Sequence, residues 1–316
     1  SNKPQKTKQT PKQMEKQHII QTRDGKDLFA TLFIPKLPNG QTVVIGAGAG
    51  IRRQFYGEFA GHLCQAGYLV YTFDYRGVGQ SKPSTLQGFS ARLHDWGMLD
   101  LDSVVLDARR LQPNNHLTYV GHSLGAQLIG LAPAAQYFSR MVLVAGQIPY
   151  WRLWSMPYQS KMFLLGHVLL PGLSRLWGYF PGRRIGLGFD LPKGVALEWA
   201  KWIRHPEGLF GYLPEHNYRK IDAWIRAYSF TDDEMAPKQA VRQLLQRFPR
   251  ADIKWRHIDP SELKLEAIGH FGFFKKKRGG ALWAELLQWL DAGSLPQTSR
   301  ETGNPPFAQT WTDHKK

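Results

Sequence analysis

A serine between two glycines is the residue whose setting most clearly predicts chemistry. Residues 117–126 read LTYVGHSLGA, in which a short apolar run passes through Gly121-His122-Ser123-Leu124-Gly125 into a helix-like segment. This order predicts a strand, a very tight turn and a helix, with glycines where side chains beside the serine would collide. Such a turn would expose the Ser123 hydroxyl and direct the first backbone N–H groups of the helix at the bond that the hydroxyl attacks.

A serine hydroxyl is a weak nucleophile, so it needs a nearby base and a group that orients the base. The chain offers two acids, Asp232 and Asp233, at the end of a predicted strand, and His270 in the loop after the last predicted strand. Because the carboxyl ends of parallel strands meet at one edge of a sheet, these side chains can approach Ser123. The residues alone leave Asp232 and Asp233 as alternatives for the acid.

Strands and helices alternate along most of the chain, which predicts a mostly parallel sheet flanked by helices. Asp24-Gly25 is a hairpin signal between the first two predicted strands. The alternation stops after Pro149, in a segment that carries five of the eleven tryptophans and six prolines. We therefore expect a disordered tail (1–16), a core (17–149 and 223–291), an inserted helical lid (150–222) and a loosely ordered tail (292–316).

The composition excludes several classes of protein. A hydrophobic content of 42% argues against a disordered or fibrous chain, and a single cysteine, Cys64, excludes a disulfide framework and a cysteine-based metal site. No acidic and histidine cluster has metal-ligand spacing, so we expect no metal and no cofactor. The best apolar run, 163–173, is too short to cross a bilayer, and no apolar run follows the lysine-rich start. A cytoplasmic enzyme with no integral membrane association is the expectation.

The formal net charge is +16, from 41 basic and 25 acidic residues. Part of this charge lies in the N-terminal tail, and no nucleic-acid-binding motif is recognisable, so we expect no nucleic-acid partner. Arg52-Arg53 and the run 275–278 (KKKR) follow predicted catalytic loops, where they could favour an anionic substrate. The alternative is an ordinary solvated surface. Asp74 and Arg76 are interpreted as residues that hold the loop after their strand.

From about residue 18 to residue 291 the chain resembles the α/β-hydrolases. The resemblance is strongest to a bacterial group of largely uncharacterised predicted α/β-hydrolases and rests on the stretches FDYRGVGQS, GHSLGA, GYFPGRR, SFTDDEMAP and IGHFGFF. It implies the α/β-hydrolase fold, with a mostly parallel sheet and an inserted helical lid.

The resemblance also implies roles for individual residues. Ser123 would be the nucleophile, His270 the base and Asp233 the acid, since the acid of the family usually lies four residues before a proline-like position, here Pro237. The oxyanion hole would consist of the backbone N–H groups of Leu124 and Gly48. The His-Gly pair that usually occupies the second loop is replaced here by residues 46–48 (GAG).

These observations predict a serine hydrolase that cleaves a carboxylic ester with an apolar acyl part through an acyl-enzyme. Its substrate would be a small acyl compound, and the five tryptophans of the insert would help to roof an apolar pocket. Two alternatives remain: a thioesterase acting on an anionic acyl thioester, and a non-catalytic binding protein that keeps the fold. The sequence does not indicate an oligomeric state.

Overall fold

An eight-stranded sheet forms the centre of the computed structural model, which describes residues 14–213 and 215–292. The strands are β1 (Met14–Gln21), β2 (Asp27–Ile34), β3 (Gln41–Gly46), β4 (Leu69–Phe73), β5 (His116–His122), β6 (Phe138–Val144), β7 (Tyr179–Phe180), β8 (Leu191–Pro192), β9 (Trp224–Phe230) and β10 (Asp252–Ile258). The large sheet has the order β1-β2-β4-β3-β5-β6-β9-β10, and β7 and β8 form a separate ribbon. From β4 to β10 all neighbours are parallel, while β2 is antiparallel to both of its neighbours. The predicted mostly parallel sheet is confirmed.

Helices connect and flank these strands. They are α1 (Gly57–Gln65), α2 (Leu93–Asp95), α3 (Asp102–Leu111), α4 (Leu124–Leu128), α5 (Tyr158–Leu164), α6 (Leu170–Trp177), α7 (Lys193–Arg204), α8 (Lys238–Leu245), α9 (Gly269–Gly272) and α10 (Lys276–Asp291). In α1 the apolar residues Phe59 and Leu63, four positions apart, are fully buried. Cys64 is buried beside them, and burial raises the pKa of its thiol to about 11, so the thiol is unreactive at neutral pH.

The first hairpin begins earlier than the sequence suggests. β1 starts at Met14, so residues 14–16, which we expected in the tail, pair with residues 32–34 of β2. Most side chains of β1 are exposed, and the strand is held by its ladder of backbone hydrogen bonds. It therefore lacks the buried apolar alternation by which a strand is recognised in a sequence. Of the other predicted tail residues, Ala292 follows the last helix as its C-cap, and residues 1–13 and 293–316 lie outside the described residues.

The central strands bring several loops to one edge of the sheet. Every residue of β4 is buried, and so is every residue of β5 after His116. Such strands, covered on both faces, are typical of parallel sheets with helices on each side. Gly46 at the end of β3 is paired with Gly121 of β5, and His122 with Val144 of β6. The loops after these strands therefore start side by side, at the edge where ligands bind in open α/β sheets.

The insert between β6 and β9 is mainly helical. It contains α5 to α7 and the β7–β8 ribbon, and α5 passes through a π-helical turn, Leu165–Leu169, into α6. Trp154 and Trp202 are buried in its packing, whereas Trp151, Trp177 and Trp199 are only partly covered. At least two of the five tryptophans therefore serve to hold the insert together.

Candidate active site

Ser123 lies at a sharp turn between β5 and α4. Its backbone dihedrals, φ 52° and ψ −116°, are far from those that a non-glycine residue usually adopts. A Cβ at Gly121 would lie 2.8 Å from Ala126 Cα, and one at Gly125 would lie 2.2 Å from the Gly46 carbonyl oxygen. The two glycines are therefore required by close backbone contact, as the sequence predicted. Side chains at either position would push the turn apart.

Hydrogen bonds hold the turn on both sides of the serine. The Ser123 N–H donates to the Val144 carbonyl (2.9 Å), and the Ser123 carbonyl accepts from the Ala126 N–H (3.0 Å). Within the described residues, the Leu124 N–H makes no hydrogen bond. A free donor at the start of α4, directly after the serine, suits negative charge that develops on a bound carbonyl.

His270 and Asp233 form a buried pair at the same edge of the sheet. His270 Nδ1 donates to Asp233 Oδ2 at 2.8 Å, and the two residues are 6% and 4% exposed. Asp233 Oδ1 accepts from the backbone N–H groups of Met235 (2.9 Å) and Ala236 (3.1 Å). With both carboxylate oxygens held in this way, the imidazole keeps its Nδ1–H tautomer and presents Nε2 as the proton acceptor.

Asp232, the other candidate for the acid, bonds to the backbone of the histidine loop and not to the imidazole. Its Oδ2 accepts the backbone N–H groups of Ile268 (2.8 Å) and Gly269 (2.9 Å), the two residues before His270. Asp232 thus fixes the loop that carries the histidine, while Asp233 contacts the imidazole. Two adjacent acids therefore hold the same loop at different points.

Ser123 and His270 are not joined by a hydrogen bond in the described structure, but the residue before the serine, His122, bonds to the His270 carbonyl oxygen. Ser123 is 8% exposed, and the ring of its neighbour His122 has its centre 5.0 Å from that of His270. Nucleophile–base bonds are often long in a free enzyme and shorten in the substrate complex.

A chain of hydrogen bonds crosses the site beneath these residues. The Gly48 N–H donates to the Tyr56 hydroxyl (2.9 Å), which is 2.9 Å from His122 Nδ1, and His122 Nε2 is 2.9 Å from the His270 carbonyl oxygen. The carbonyl can only accept, so His122 is protonated at Nε2 and receives the tyrosine proton at Nδ1. Burial, with a smaller contribution from the charge of His270, holds the pKa of His122 well below its usual value, so this ring is neutral.

This chain corrects one sequence-based expectation. The loop after β3 does bring Gly48 to the site, because a Cβ there would lie 3.4 Å from Ser123 Cβ. Its N–H, however, is already bonded to Tyr56 and does not point freely towards a substrate. Tyr56 lies eight residues after Gly48, in the 3-10 turn Arg53–Tyr56. Residues 46–48 therefore carry no sign of this hydrogen bond in the sequence.

The interpretation of Asp74 and Arg76 is confirmed by their contacts. Asp74 accepts from the Arg53 N–H (2.8 Å), the Arg53 guanidinium and the Gln80 N–H (3.0 Å). Arg76 is paired with Asp100 at 2.6 Å. A Cβ at Gly79 would lie 2.3 Å from Asp74 Oδ2, and this glycine has φ 53°, so the tight loop needs glycine there. These contacts are structural.

Arg53 itself was expected among basic groups that could attract an anionic substrate, and the structure differs. Arg53 is 1% exposed and is fully committed to Asp74, Thr31, Gln17 and Gln80. Lys275 lies over the Phe55 ring, 4.3 Å from its centre. Four of the basic groups that flank the site remain exposed and form no ion pair among the described residues: Arg52, Lys276, Lys277 and Arg278.

The insert contacts loops on both sides of the catalytic edge. Trp154 Nε1 donates to the Glu234 carbonyl at 2.9 Å, one residue after Asp233. On the other side, Gly50 in the loop after β3 lies so close to Phe189 that a Cβ would be 2.6 Å from that ring. Glu198 of α7 accepts from His94 Nδ1 at 2.7 Å. The insert is thus attached to the acid loop, the loop after β3 and the segment around α2.

Residues 14–213 and 215–292 contain neither a metal-binding cluster nor a membrane-spanning helix. No group of three or more histidine, cysteine, aspartate or glutamate side chains there could hold a metal ion. In the same part of the chain, no helix combines the length and apolar character that crossing a bilayer requires.

Comparisons with known proteins agree with this geometry. The family model described as serine aminopeptidase, S33, matches residues 38–178. No curated protein sequence matches the chain. Among solved structures, a soluble variant of monoglyceride lipase from Saccharomyces cerevisiae is 16% identical, with a TM-score of 0.63 over 92% of this chain and 99% of that one.

Two esterase structures are also similar, with somewhat lower TM-scores. One from Pyrococcus furiosus is 15% identical (TM-score 0.58, 90% of this chain and 95% of that one), and one from Exiguobacterium antarcticum is 16% identical (TM-score 0.56, 86% and 98%). At these identities the likeness shows a shared fold. Together, the sheet order, the strained serine turn and the solved structures show the α/β-hydrolase fold, and over residues 38–178 the chain is similar to the serine aminopeptidase S33 family.

Proposed function

We propose that the protein hydrolyses carboxylic esters with an apolar acyl part, with Ser123 as nucleophile, His270 as general base and Asp233 as the acid that orients His270. The observation that carries this proposal is the buried His270–Asp233 pair beside a serine held in a strained backbone conformation. A binding protein that only kept the fold would have no use for that strain. The esterase and lipase structures among the neighbours favour an ester as the bond.

The steps follow from the positions of these groups. His270 Nε2 removes the hydroxyl proton as Ser123 Oγ attacks the carbonyl carbon, and the Leu124 N–H donates to the oxygen that becomes negative. The tetrahedral intermediate expels the alcohol, which receives the proton from His270. Water then attacks the acyl-enzyme by the same route. Asp233 stays ionised and stabilises the imidazolium in both halves of the reaction.

An apolar acyl group is supported by the insert, which we propose acts as a lid. It contacts the loops on both sides of the serine and supplies partly exposed aromatic rings, including Trp151 and Trp199. Each methylene moved from water into such surroundings contributes about 0.8 kcal/mol, or nearly fourfold in binding. We therefore expect kcat/KM to rise by about that factor for each methylene, from acetyl towards medium-chain esters.

The thioester alternative rested on basic loops near the site, and it is now weaker. Arg53 is buried and paired, which leaves Arg52 and the run 275–278 as the remaining positive groups. If an anionic thioester were the substrate, its advantage over a neutral ester of equal chain length should fade as salt rises. Equal rates at all ionic strengths would exclude electrostatic selection of the substrate.

Covalent labelling tests the proposal most directly. A fluorophosphonate probe should label the native protein, whereas Ser123→Ala should not be labelled and should lose at least about 10⁴-fold in kcat on p-nitrophenyl esters. Ser84→Ala, which changes an exposed serine in the loop between β4 and α2, is the matched control and should behave as the native protein. Labelling of the Ser123→Ala protein would exclude Ser123 as the nucleophile, and a native protein that neither labels nor turns over any ester would leave the binding-protein alternative.

A further inference from the structure

The outer face of the insert has a surface unlike the rest of the molecule. α5, the π-helical turn after it and α6 form one helical run from residue 158 to residue 177, here called the outer helix. Along one side Leu164, Val168 and Leu176 are exposed by 46%, 51% and 72%. On the opposite side Gly166, Leu170 and Ser174 are buried, with α6 packed against α7.

The outer helix is therefore apolar on both sides. A helix on the surface of a water-soluble domain usually has one apolar stripe that faces the core and polar residues outside. Here the spacing of four residues between Leu164 and Val168, and of eight between Val168 and Leu176, places a second apolar stripe on the outside. Nothing in the described structure covers this stripe.

The exposed apolar side chains are concentrated in this part of the chain. Sixteen large apolar side chains are markedly exposed among the described residues, and seven of them lie within residues 150–189. These 40 residues are about one seventh of the described chain. Ile185 and Leu187, in the loop between β7 and β8, add to those of the outer helix. Single exposed apolar residues are ordinary, but such a concentration marks an interaction surface.

The charges of the same 40 residues have one sign. Residues 150–189 contain five basic residues and no acidic residue: Arg152, Lys161, Arg175, Arg183 and Arg184. All five are exposed, and only Arg183 forms an ion pair in the described structure, with Asp190. On the outer helix, Lys161 and Arg175 stand near the two ends of the apolar stripe. Arginine and lysine stems can place their charges at the boundary between water and an apolar phase.

We propose that the outer helix and the loop 183–187 dock on the surface of an anionic lipid bilayer. An apolar helix face flanked by basic residues matches an interface in which acyl chains lie beneath negative headgroups. Five basic residues without an acidic one within residues 150–189 favour a negatively charged occupant, and the apolar stripe beside them favours one with an apolar layer beneath its charges. The surface lies outside the catalytic groups, so docking does not depend on the proposed ester hydrolysis.

The position of the surface gives docking a direction. The insert is joined to the acid loop through the bond from Trp154 to the Glu234 carbonyl and to the loop after β3 through the contact of Phe189 with Gly50. A bilayer under the outer helix would therefore lie on the same side of the molecule as the carboxyl edge of the sheet. The catalytic edge would face the membrane, and the far edge would face water.

Vesicle co-sedimentation of the full chain tests the proposal. We expect binding to vesicles of phosphatidylcholine and phosphatidylglycerol and much weaker binding to phosphatidylcholine alone. Leu164→Ser/Val168→Ser should weaken binding to the anionic vesicles at least about tenfold, because two apolar side chains no longer enter the acyl region. Arg175→Gln/Arg184→Gln should weaken it about fivefold for each charge removed.

Matched controls distinguish vesicle binding by this surface from non-specific binding by other exposed apolar residues and from binding by the lysine-rich N-terminal tail. Leu37→Ser/Leu106→Ser removes two exposed apolar side chains outside the insert and should leave binding unchanged. Ser123→Ala should bind vesicles as the native protein does, so loss of catalysis and loss of docking are told apart. Hydrolysis of a short water-soluble ester should be unaffected by Leu164→Ser/Val168→Ser, which shows that this variant is folded.

Three results would overturn the proposal. Binding to anionic vesicles that is equal in the native protein and in Leu164→Ser/Val168→Ser would assign it to charge elsewhere, such as the tail. Absence of binding at low salt would exclude docking altogether. A dimer in analytical ultracentrifugation that Leu164→Ser/Val168→Ser dissociates would assign the outer helix to self-association instead.

Discussion

The core around β5 and the insert both depart from the usual distribution of side chains, but in opposite directions. In the core, charged groups such as Arg53, Asp74 and Asp233 are buried, and hydrogen bonds hold each of them. In the insert, large apolar groups such as Val168 and Leu176 are exposed. Buried polar groups with complete sets of partners fix one geometry, whereas exposed apolar groups have binding energy still to gain. The core around β5 is therefore suited to holding one fixed geometry, whereas the insert is suited to binding another surface.

The largest effect that tests this division concerns the two neighbouring acids of the core. Asp233→Asn should lower kcat by roughly 10³-fold or more, because His270 loses the carboxylate that orients and stabilises its imidazolium. Asp232→Asn should lower it by about tenfold or less, since an amide oxygen still accepts the N–H groups of Ile268 and Gly269. Steady-state kinetics on one p-nitrophenyl ester measures both. A larger loss in Asp232→Asn would show that the loop, and not the imidazole contact, limits the reaction.

The second test compares adjacent arginines in stability. Arg53→Met should lower the free energy of unfolding by about 3–5 kcal/mol, because it leaves the buried Asp74 carboxylate without its ion-pair partner. Arg52 is exposed, so Arg52→Met should change that free energy by less than about 0.5 kcal/mol. Urea unfolding of the two variants gives both numbers. Similar values for both would mean that the buried pair does not hold the core.

The smallest expected effect lies where the insert meets the core. The hydrogen bond to Glu198 raises the pKa of His94, while burial opposes the rise. A pKa raised in the folded state gives a stabilisation that is complete below the unfolded value of about 6.5 and is lost as the pH rises through the folded value. Glu198→Gln should therefore lower Tm by about 1–3 °C at pH 5.5, and the difference should shrink above pH 6.5.

A neighbouring glutamate provides the control for this measurement. Glu207 belongs to a more exposed pair with Arg247, at 3.7 Å, that contains no histidine. Glu207→Gln should thus show no change in its effect between pH 5.5 and pH 8. If the effect of Glu198→Gln is equally flat, the charge of His94 does not help to attach the insert.

What the sequence predicted depended on how local each signal is. The serine turn was readable because the residues that shape it, Gly121 and Gly125, stand within two positions of Ser123 and leave no steric alternative. The alternation of strands and helices was readable for the same reason, since each element carries its own periodicity. β1 was misplaced at its start because its stability comes from pairing with a distant strand.

Features that depend on which face of the fold a side chain enters were not readable. Arg52 and Arg53 look equivalent in the sequence, but one points to solvent and the other into the core. Asp232 and Asp233 also look equivalent in the sequence, but only Asp233 bonds to the imidazole of His270, 37 positions later in the chain. The hydroxyl that bonds to the Gly48 N–H comes from Tyr56, the residue before α1, which no motif of the sequence marks as part of the site.

The bonds of His122 have a consequence for which group can take part in proton transfer. The imidazoles of His270 and of His122, the residue before Ser123, lie with their centres 5.0 Å apart, and either would be a base by type. Both nitrogens of His122 are occupied, one by a hydroxyl proton and one by a carbonyl oxygen, and the cost of burying its charge disfavours protonation further. The directions of the hydrogen bonds through His122 leave Nε2 of His270 as the ring nitrogen of this pair that can still accept a proton. In the mechanism proposed above, His270 is therefore the one of these two histidines that can accept the serine proton.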